Sequence, residues 1–250
     1  MRKIILSISF LFAMMFVTLD SYTQVSGQSS EETKLYYRSE YAFGGFLHTR
    51  GFGLNFRYSK NLTGFTKLMY GFELSNMRHE KQQRIYNPSY DDARGYYLGK
   101  LNSLAVARFN IGRQKVIFGK EVKNGVQINY LYQVGATLGF VAPVYLEIIR
   151  YDGGQNVVTE RYDPELHNVN NIYGRSSFIY GVQNLSLYPG GHAKFAFNFE
   201  YSPEDELLKA LEVGVTVDGY YKSVPIMAYA DNHQFWYTFY VNFQFGKKLY

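Results

Sequence analysis

The segment Phe235-Trp236-Tyr237-Thr238-Phe239-Tyr240-Val241-Asn242-Phe243-Gln244-Phe245 alternates with a period of two. Positions 235, 237, 239, 241, 243 and 245 are apolar or aromatic, while 238, 242 and 244 are polar. Successive side chains of a strand point to opposite faces, so the two sets separate onto two surfaces. A soluble sheet buries the apolar surface against a second sheet. A membrane barrel turns it to lipid and keeps the polar set inside.

The other end of the chain favours the barrel. Met1-Arg2-Lys3 is basic, and Ile4 to Leu19 is apolar apart from Ser and Thr. Small residues at Ser21-Tyr22-Thr23 or Val25-Ser26-Gly27 offer cleavage sites, so 1–27 reads as a secretory signal peptide and 28–250 as one mature domain. The apolar core is short for a spanning anchor. Cys is absent, which excludes lipoprotein acylation and a disulfide framework. Removing Arg2, Lys3 and Asp20 takes the net charge from +5 to about +4, with no basic tract for nucleic acid. The 25 Tyr and 20 Phe suit aromatic girdles at a membrane interface.

The same alternation recurs along the chain. Tyr37, Tyr41, Phe43 and Leu47 oppose Arg38, Glu40 and Gly44, and Phe52, Leu54, Phe56 and Tyr58 oppose Gly53, Asn55 and Arg57. Leu68, Tyr70, Phe72 and Leu74 oppose Lys67, Gly71, Glu73 and Ser75. Tyr96 to Ile111 reads as a strand of less regular phase, with Leu101, Ala105, Ala107 and Phe109 set to lipid and Lys100, Asn102 and Arg108 inside. Further strands start at Val126, Ala193 and Leu211. Gly112 to Gly125 reads as a charged connection, and Tyr151 to Gly174 as loop.

This pattern predicts an all-β fold: a transmembrane, antiparallel, up-and-down β-barrel of about eight strands. A ten-stranded form would need an extra hairpin between Val141 and Gly191. Long connections (Arg78 to Gly95, Val141 to Gly191, Lys222 to Gln234) alternate with short turns, as in barrels with long outer loops and short periplasmic turns. A barrel this small is filled by its own side chains. The expected lumen network is Arg38, Glu40, Arg57, Lys67, Glu73, Glu212 and Asp218, joined by Lys100, Arg108, Lys194 and Glu200. Its mixed signs let charges pair away from water.

Several stretches carry a resemblance: Leu47-His48-Thr49-Arg50-Gly51-Phe52-Gly53-Leu54-Asn55-Phe56, Tyr97-Leu98-Gly99-Lys100-Leu101-Asn102, Gly112-Arg113-Gln114-Lys115, Pro143-Val144-Tyr145-Leu146-Glu147 and Phe243-Gln244-Phe245-Gly246-Lys247-Lys248-Leu249-Tyr250. Through them the mature chain resembles the outer-membrane β-barrel proteins of the Bacteroidota, including a group of small barrels of about this length. The resemblance implies a Gram-negative outer-membrane location and transfers no catalytic signature.

Chemistry-bearing residues are sparse. His233 follows Asp231 and Asn232, with Ser223 earlier in the same connection, so a nucleophile and base could meet at a rim. Composition alone puts such residues in polar loops, and the expectation is no enzyme. His48 reads as an interfacial or capping residue. Asp91-Asp92 and Asp152-Gly153-Gly154 lack the spacing of a Ca²⁺ loop, and Tyr188-Pro189-Gly190-Gly191-His192 precedes no helix that could hold a phosphate. No cofactor or metal is expected. Aromatic and basic residues alternate onto opposite faces, which denies nucleic acid a shared surface.

The expected role is structural or protein-interacting, as an accessory subunit of an envelope assembly or secretion machine. A small transport or ligand-binding barrel is the alternative, and a rim-site lipid-modifying enzyme or protease the remote one. The expected partners are outer-membrane lipid, an envelope protein complex, and the assembly machinery, which would read Phe243, Phe245 and Tyr250 as a signal.

Overall fold

The computed structural model describes residues 38–90, 92–120, 125–151, 156–201 and 206–249. All of them fall in the second of the chain's two units, Tyr36–Tyr250. The expected leader, 1–27, and Tyr250 lie outside the described residues.

The chain runs through β1 (Ser39–His48), β2 (Gly51–Thr63), β3 (Thr66–Met77), β4 (Arg84–Ile85), β5 (Tyr96–Tyr97), β6 (Asn102–Phe118) and β7 (Gln127–Pro143). It continues with β8 (Tyr145–Arg150), β9 (Asn156–Arg161), β10 (Ile172–Arg175), the short helix α1 (Phe178–Gln183), β11 (Ser186–Glu200), β12 (Leu207–Tyr220) and β13 (Phe235–Leu249). Eight strands close a barrel in the order β1-β13-β12-β11-β7-β6-β3-β2, each antiparallel to its neighbours. Closure comes from β1 pairing with β13, Ser39 opposite Leu249 through His48 opposite Tyr240. No edge is left in the barrel sheet, so its backbone groups are satisfied by the strand ladders.

The outward face is apolar on every barrel strand. Leu54 is 68 % exposed, Phe43 59 %, Phe109 57 % and Phe239 65 %. Such a continuous surface is far beyond the isolated apolar patches a soluble monomer tolerates. On β13 the outward apolar run lasts from Phe235 to Phe245, about 33 Å at ~3.3 Å per residue. At a tilt of ~40° this rises about 25 Å, the height of a membrane barrel's apolar band.

All the long connections, 78–101, 144–185 and 221–234, leave one end of the barrel, and the termini with the shorter connections 64–65, 119–126 and 201–206 mark the other. The first is the loop end of the barrel and the second its terminus end.

The barrel has the expected eight strands, and among the described residues no hairpin between Val141 and Gly191 enters its sheet. Two expectations need correction. First, Tyr151 to Gly174 is not all loop: β9 and part of β10 lie in it and flank β8 in a separate three-stranded sheet, β10-β8-β9. β8 packs Leu146 and Ile148 with Tyr96, Tyr162 and Ile172 in a core of its own, which explains apolar residues where a solvated loop was expected. Second, Gly112 to Phe118 continues β6, with Arg113 opposite Tyr132 and Lys115 opposite Tyr130. Arg113 and Lys115 are exposed on the outer wall near the terminus end. Charge at a barrel's rim belongs to the strand, because the wall there has passed beyond the apolar band.

Candidate functional site

The lumen is filled. Along β11 and β12 the inward side chains include Glu200, Asn198, Lys194 and His192 on one strand and Glu212, Thr216 and Asp218 on the other, all buried. Period-two geometry places them there, because their outward neighbours Phe195, Phe197, Leu211 and Val213 are exposed.

Two charge networks occupy this space. Near the terminus end, Lys67 Nζ lies 2.7 Å from Glu40 and 3.9 Å from Glu200, and Lys248 Nζ donates to Glu200 at 2.6 Å. Further in, Arg57 Nη1 lies 2.7 Å from Glu212, and the Tyr240 hydroxyl donates to the same carboxylate at 2.6 Å. The second network is built on Arg108. Its Nε and Nη2 grip Asp218 at 2.7 and 2.8 Å, and its Nη1 lies 3.5 Å from Glu73. Lys194 and Asn110 also donate to Glu73, and Thr137 Oγ1 donates to Asp218 at 3.3 Å. The cations Arg57, Lys67, Arg108, Lys194 and Lys248 thus pair with the five carboxylates Glu40, Glu73, Glu200, Glu212 and Asp218, and Lys120 adds a sixth cation, 4.0 Å from Glu200.

Of the expected lumen residues, Glu40, Arg57, Lys67, Glu73, Glu212 and Asp218 lie in these networks with Arg108, Lys194 and Glu200. Arg38 does not join them: it is exposed just before β1, at the terminus end. Lys100 is also misplaced by the strand expected from Tyr96, because β6 begins only at Asn102 and Lys100 lies in the loop-end cap. Lys248, Tyr240 and His192 were missed, although each shares the inward parity of its strand. Phe243 and Phe245 are exposed on the outer wall, 52 % and 61 %.

The lumen is not polar throughout, as the alternation suggested. Phe46, Met69, Leu131, Ala196 and Tyr240 form a buried apolar cluster. Phe46 fits because it faces Gly53 on β2, where a Cβ would collide with the ring. At the loop end, Leu104, Val141, Tyr220, Ile226, Met227 and Trp236 belong to a larger buried apolar cluster. Ile226 and Met227 come from the connection between β12 and β13, which therefore folds in over the mouth as a plug. A void beside Glu40, Arg57, Gln114 and Gln244 amounts to about 10 Å³, room for about one water.

The histidines are spread out. His48 Nδ1 accepts from the Arg50 backbone N–H at 3.3 Å, capping the first hairpin. His192 is buried against Thr137 and Asn110. His233 stacks on His79 at 6.0 Å and meets Trp236 edge-on, and no hydrogen bond joins it to Ser223 or Asp231. Asp92 is exposed; Asp91 and Asp152 lie outside the described residues. Among the described residues no three acids or histidines converge as a metal site.

The cap holds a crevice of about 70 Å³, lined by Lys100, Ser103, Tyr145, Arg175, Ser177 and Phe178 among others. Lys100 Nζ sits 5.0 Å from the centre of the Tyr97 ring. Burial, then the neighbouring charges of Arg78 and Arg175, lower the Lys100 ammonium to about 8.

Together these features define a closed, eight-stranded antiparallel barrel with an apolar wall, an interior of paired charges and a folded cap. No protein-family profile and no curated protein matches the sequence. Among solved structures, the chain is similar to two outer-membrane barrels. One is the attachment invasion locus protein Ail of Yersinia pestis, in complex with the heparin analogue sucrose octasulfate: TM-score 0.40, 7 % identity, covering 84 % of this chain and 96 % of that one. The other is Neisserial surface protein A, NspA: TM-score 0.41, 7 % identity, with the same coverage.

Proposed function

We propose that this chain is an outer-membrane barrel of a Gram-negative envelope that acts through its wall and cap, with a structural or protein-interaction role and no catalysis. The finer form of this reading makes it an accessory subunit of an envelope assembly or secretion machine. The observation that carries it is the filled lumen: five carboxylates, each paired with at least one cation, under an apolar plug that includes Trp236 and Ile226. Such an interior has no path for a solute. What is left to interact is outside it. The long connections would face outward and the terminus end the periplasm, the usual asymmetry of these barrels.

Planar-bilayer recording of the refolded mature protein tests the closed lumen, with the absence of stable single-channel steps as the expected result. Large, persistent steps would refute it and favour a small transport barrel. Cross-linking in cells followed by mass spectrometry of the detergent-extracted barrel tests the interaction role. The expectation is a recurrent envelope partner cross-linked through cap residues.

A further inference from the structure

The cap crevice does not lie over the lumen but on the barrel's outer flank. On β7 the odd positions Leu131, Gln133 and Val141 are buried in the lumen, so Ala142 points outward. Yet Ala142 is only 4 % exposed. α1 covers it: a Cβ placed on Gly181 would lie 3.7 Å from the Ala142 Cβ and would collide with the Pro143 carbonyl. The helix therefore lies against the wall at the loop end, and only its glycine permits so close an approach. Its remaining face is apolar and bare, with Phe178 65 %, Ile179 66 % and Val182 45 % exposed. Leu187, which follows on β11, extends the same surface into the barrel's apolar belt.

Cations adjoin this apolar shelf. Lys100 and Arg175 line the crevice between β6, β8 and α1, with the hydroxyl residues Ser103 and Ser177 and the phenol of Tyr145. Backbone pairing fixes both cations: Lys100 bridges to Met227 and Arg175 pairs with Leu146. Among the described residues neither has a carboxylate within ion-pair distance. The charges that face Lys100 are those of Arg78, on the connection after β3, and Arg175, while the Tyr97 ring approaches from β5. Every lumen cation has a carboxylate. These cations are held together without one, Lys100 half-buried and Arg175 exposed.

We propose that this crevice binds the phosphate of an outer-leaflet lipid headgroup, with the lipid's acyl chains lying on the bare face of α1. Cations, hydroxyl donors and an apolar shelf meet there at the edge of the belt, where a phospholipid or phosphorylated glycolipid changes from headgroup to chain. A guanidinium and an ammonium together suit a phosphate dianion. The volume of about 70 Å³ is several times what a single water needs. An anion restores to Lys100 the charge that burial and its neighbours disfavour, so binding is strongest between about pH 7 and 8, where the phosphate is a dianion and Lys100 still holds its proton, and weakens above it. The proposal rests on the membrane reading above.

The test is native mass spectrometry of the refolded mature chain in detergent, titrated with a bisphosphorylated lipid A, its dephosphorylated form and phosphatidylcholine, with inorganic phosphate as competitor. The expectation is at least tenfold preference for the phosphorylated glycolipid over its dephosphorylated form. Lys100→Gln/Arg175→Gln should abolish that preference, while Lys115→Gln, at the far end of the wall, keeps it. Phe178→Ser/Ile179→Ser should weaken binding of the lipid without changing the phosphate preference. Raising the pH from 7 to 9.5 should lower the affinity of wild type and leave the double cation variant unmoved. Heat-modifiable gel migration verifies that each variant is folded. Equal binding by wild type and Lys100→Gln/Arg175→Gln overturns the proposal. Full competition by millimolar inorganic phosphate also overturns it, and makes the crevice a free-phosphate site. Wild type that fails to insert into lipid vesicles overturns the membrane reading itself, whereas inserted protein without preference overturns the lipid site alone.

Discussion

Replacing Arg108 by Met should be among the most damaging single changes in the lumen. The guanidinium is 2 % exposed and the Asp218 carboxylate 0 %. Without Arg108, Asp218 keeps only the Thr137 hydroxyl at 3.3 Å and the His192 ring nearby. Glu73 is better protected, because Lys194 and Asn110 still donate to it. The loss therefore falls on one stranded carboxylate, and removing one partner of a buried pair costs about 3–5 kcal/mol. Arg108→Met/Asp218→Asn removes the charge on both sides and should recover about 2 kcal/mol or more of that loss, within the range of couplings between contacting residues. Arg113→Met, on the exposed wall of the same strand, should stay within about 0.5 kcal/mol of wild type. Urea unfolding in phospholipid vesicles, followed by gel migration, measures all four proteins. If Arg108→Met unfolds within about 1 kcal/mol of wild type, or the double variant recovers nothing, the pair is not the isolated buried unit described here.

Other outcomes follow from the wall and the cap. Val215 lies between Phe195 and Phe239 in the sheet; Val215→Arg should cost about 2–4 kcal/mol if that position is near the bilayer centre, whereas the inward Thr216→Ser should cost under about 1 kcal/mol in the same vesicle unfolding assay. Phe243→Ala/Phe245→Ala should lower the amount inserted in cells while leaving detergent refolding intact, because an assembly factor would read those aromatics; equal insertion would reduce them to a girdle. Deleting Gly246 to Tyr250 is a poorer test, since Gly246 to Leu249 pair with Ser39 to Ala42 in the closing seam. The Lys100 ammonium is lowered from its ordinary 10.5 to about 8, so between these values the unfolded chain binds more protons than the folded one. Stability therefore rises with pH across that window, and resistance of the cap to limited proteolysis should increase from pH 8 to 10 in wild type but not in Lys100→Met.

The barrel strands were legible because a period of two survives whatever the environment on either side. Phe235 to Phe245 and Ala193 to Tyr201 show it directly, and the structure pairs them through β12. Strand ends were less legible. Arg113 and Lys115 looked like a connection, because a composition rule cannot distinguish a solvated turn from a strand rim. Tyr162 and Ile172 looked like loop because their apolar partners, Tyr96 and Leu146, are distant in sequence. Trp236 and Tyr240 stand on the inward parity of the strand that decided the fold, so parity itself pointed to aromatic residues inside the barrel. What obscured it was the assumption that a lumen is polar. The cap crevice had no sequence signal at all, since Lys100 and Arg175 are brought together only by β8 and the plug loop.

The central claim is that the aromatic wall meets lipid while the lumen is shut away from it. Trp236 is the single tryptophan of the chain and is 1 % exposed inside the plug, which makes it a natural probe. In vesicles of lipids brominated near the chain ends, wild-type Trp236 fluorescence should be hardly quenched, whereas Val215→Trp in a Trp236→Phe background should be quenched several-fold. Strong quenching of Trp236, or none at position 215, would contradict the account.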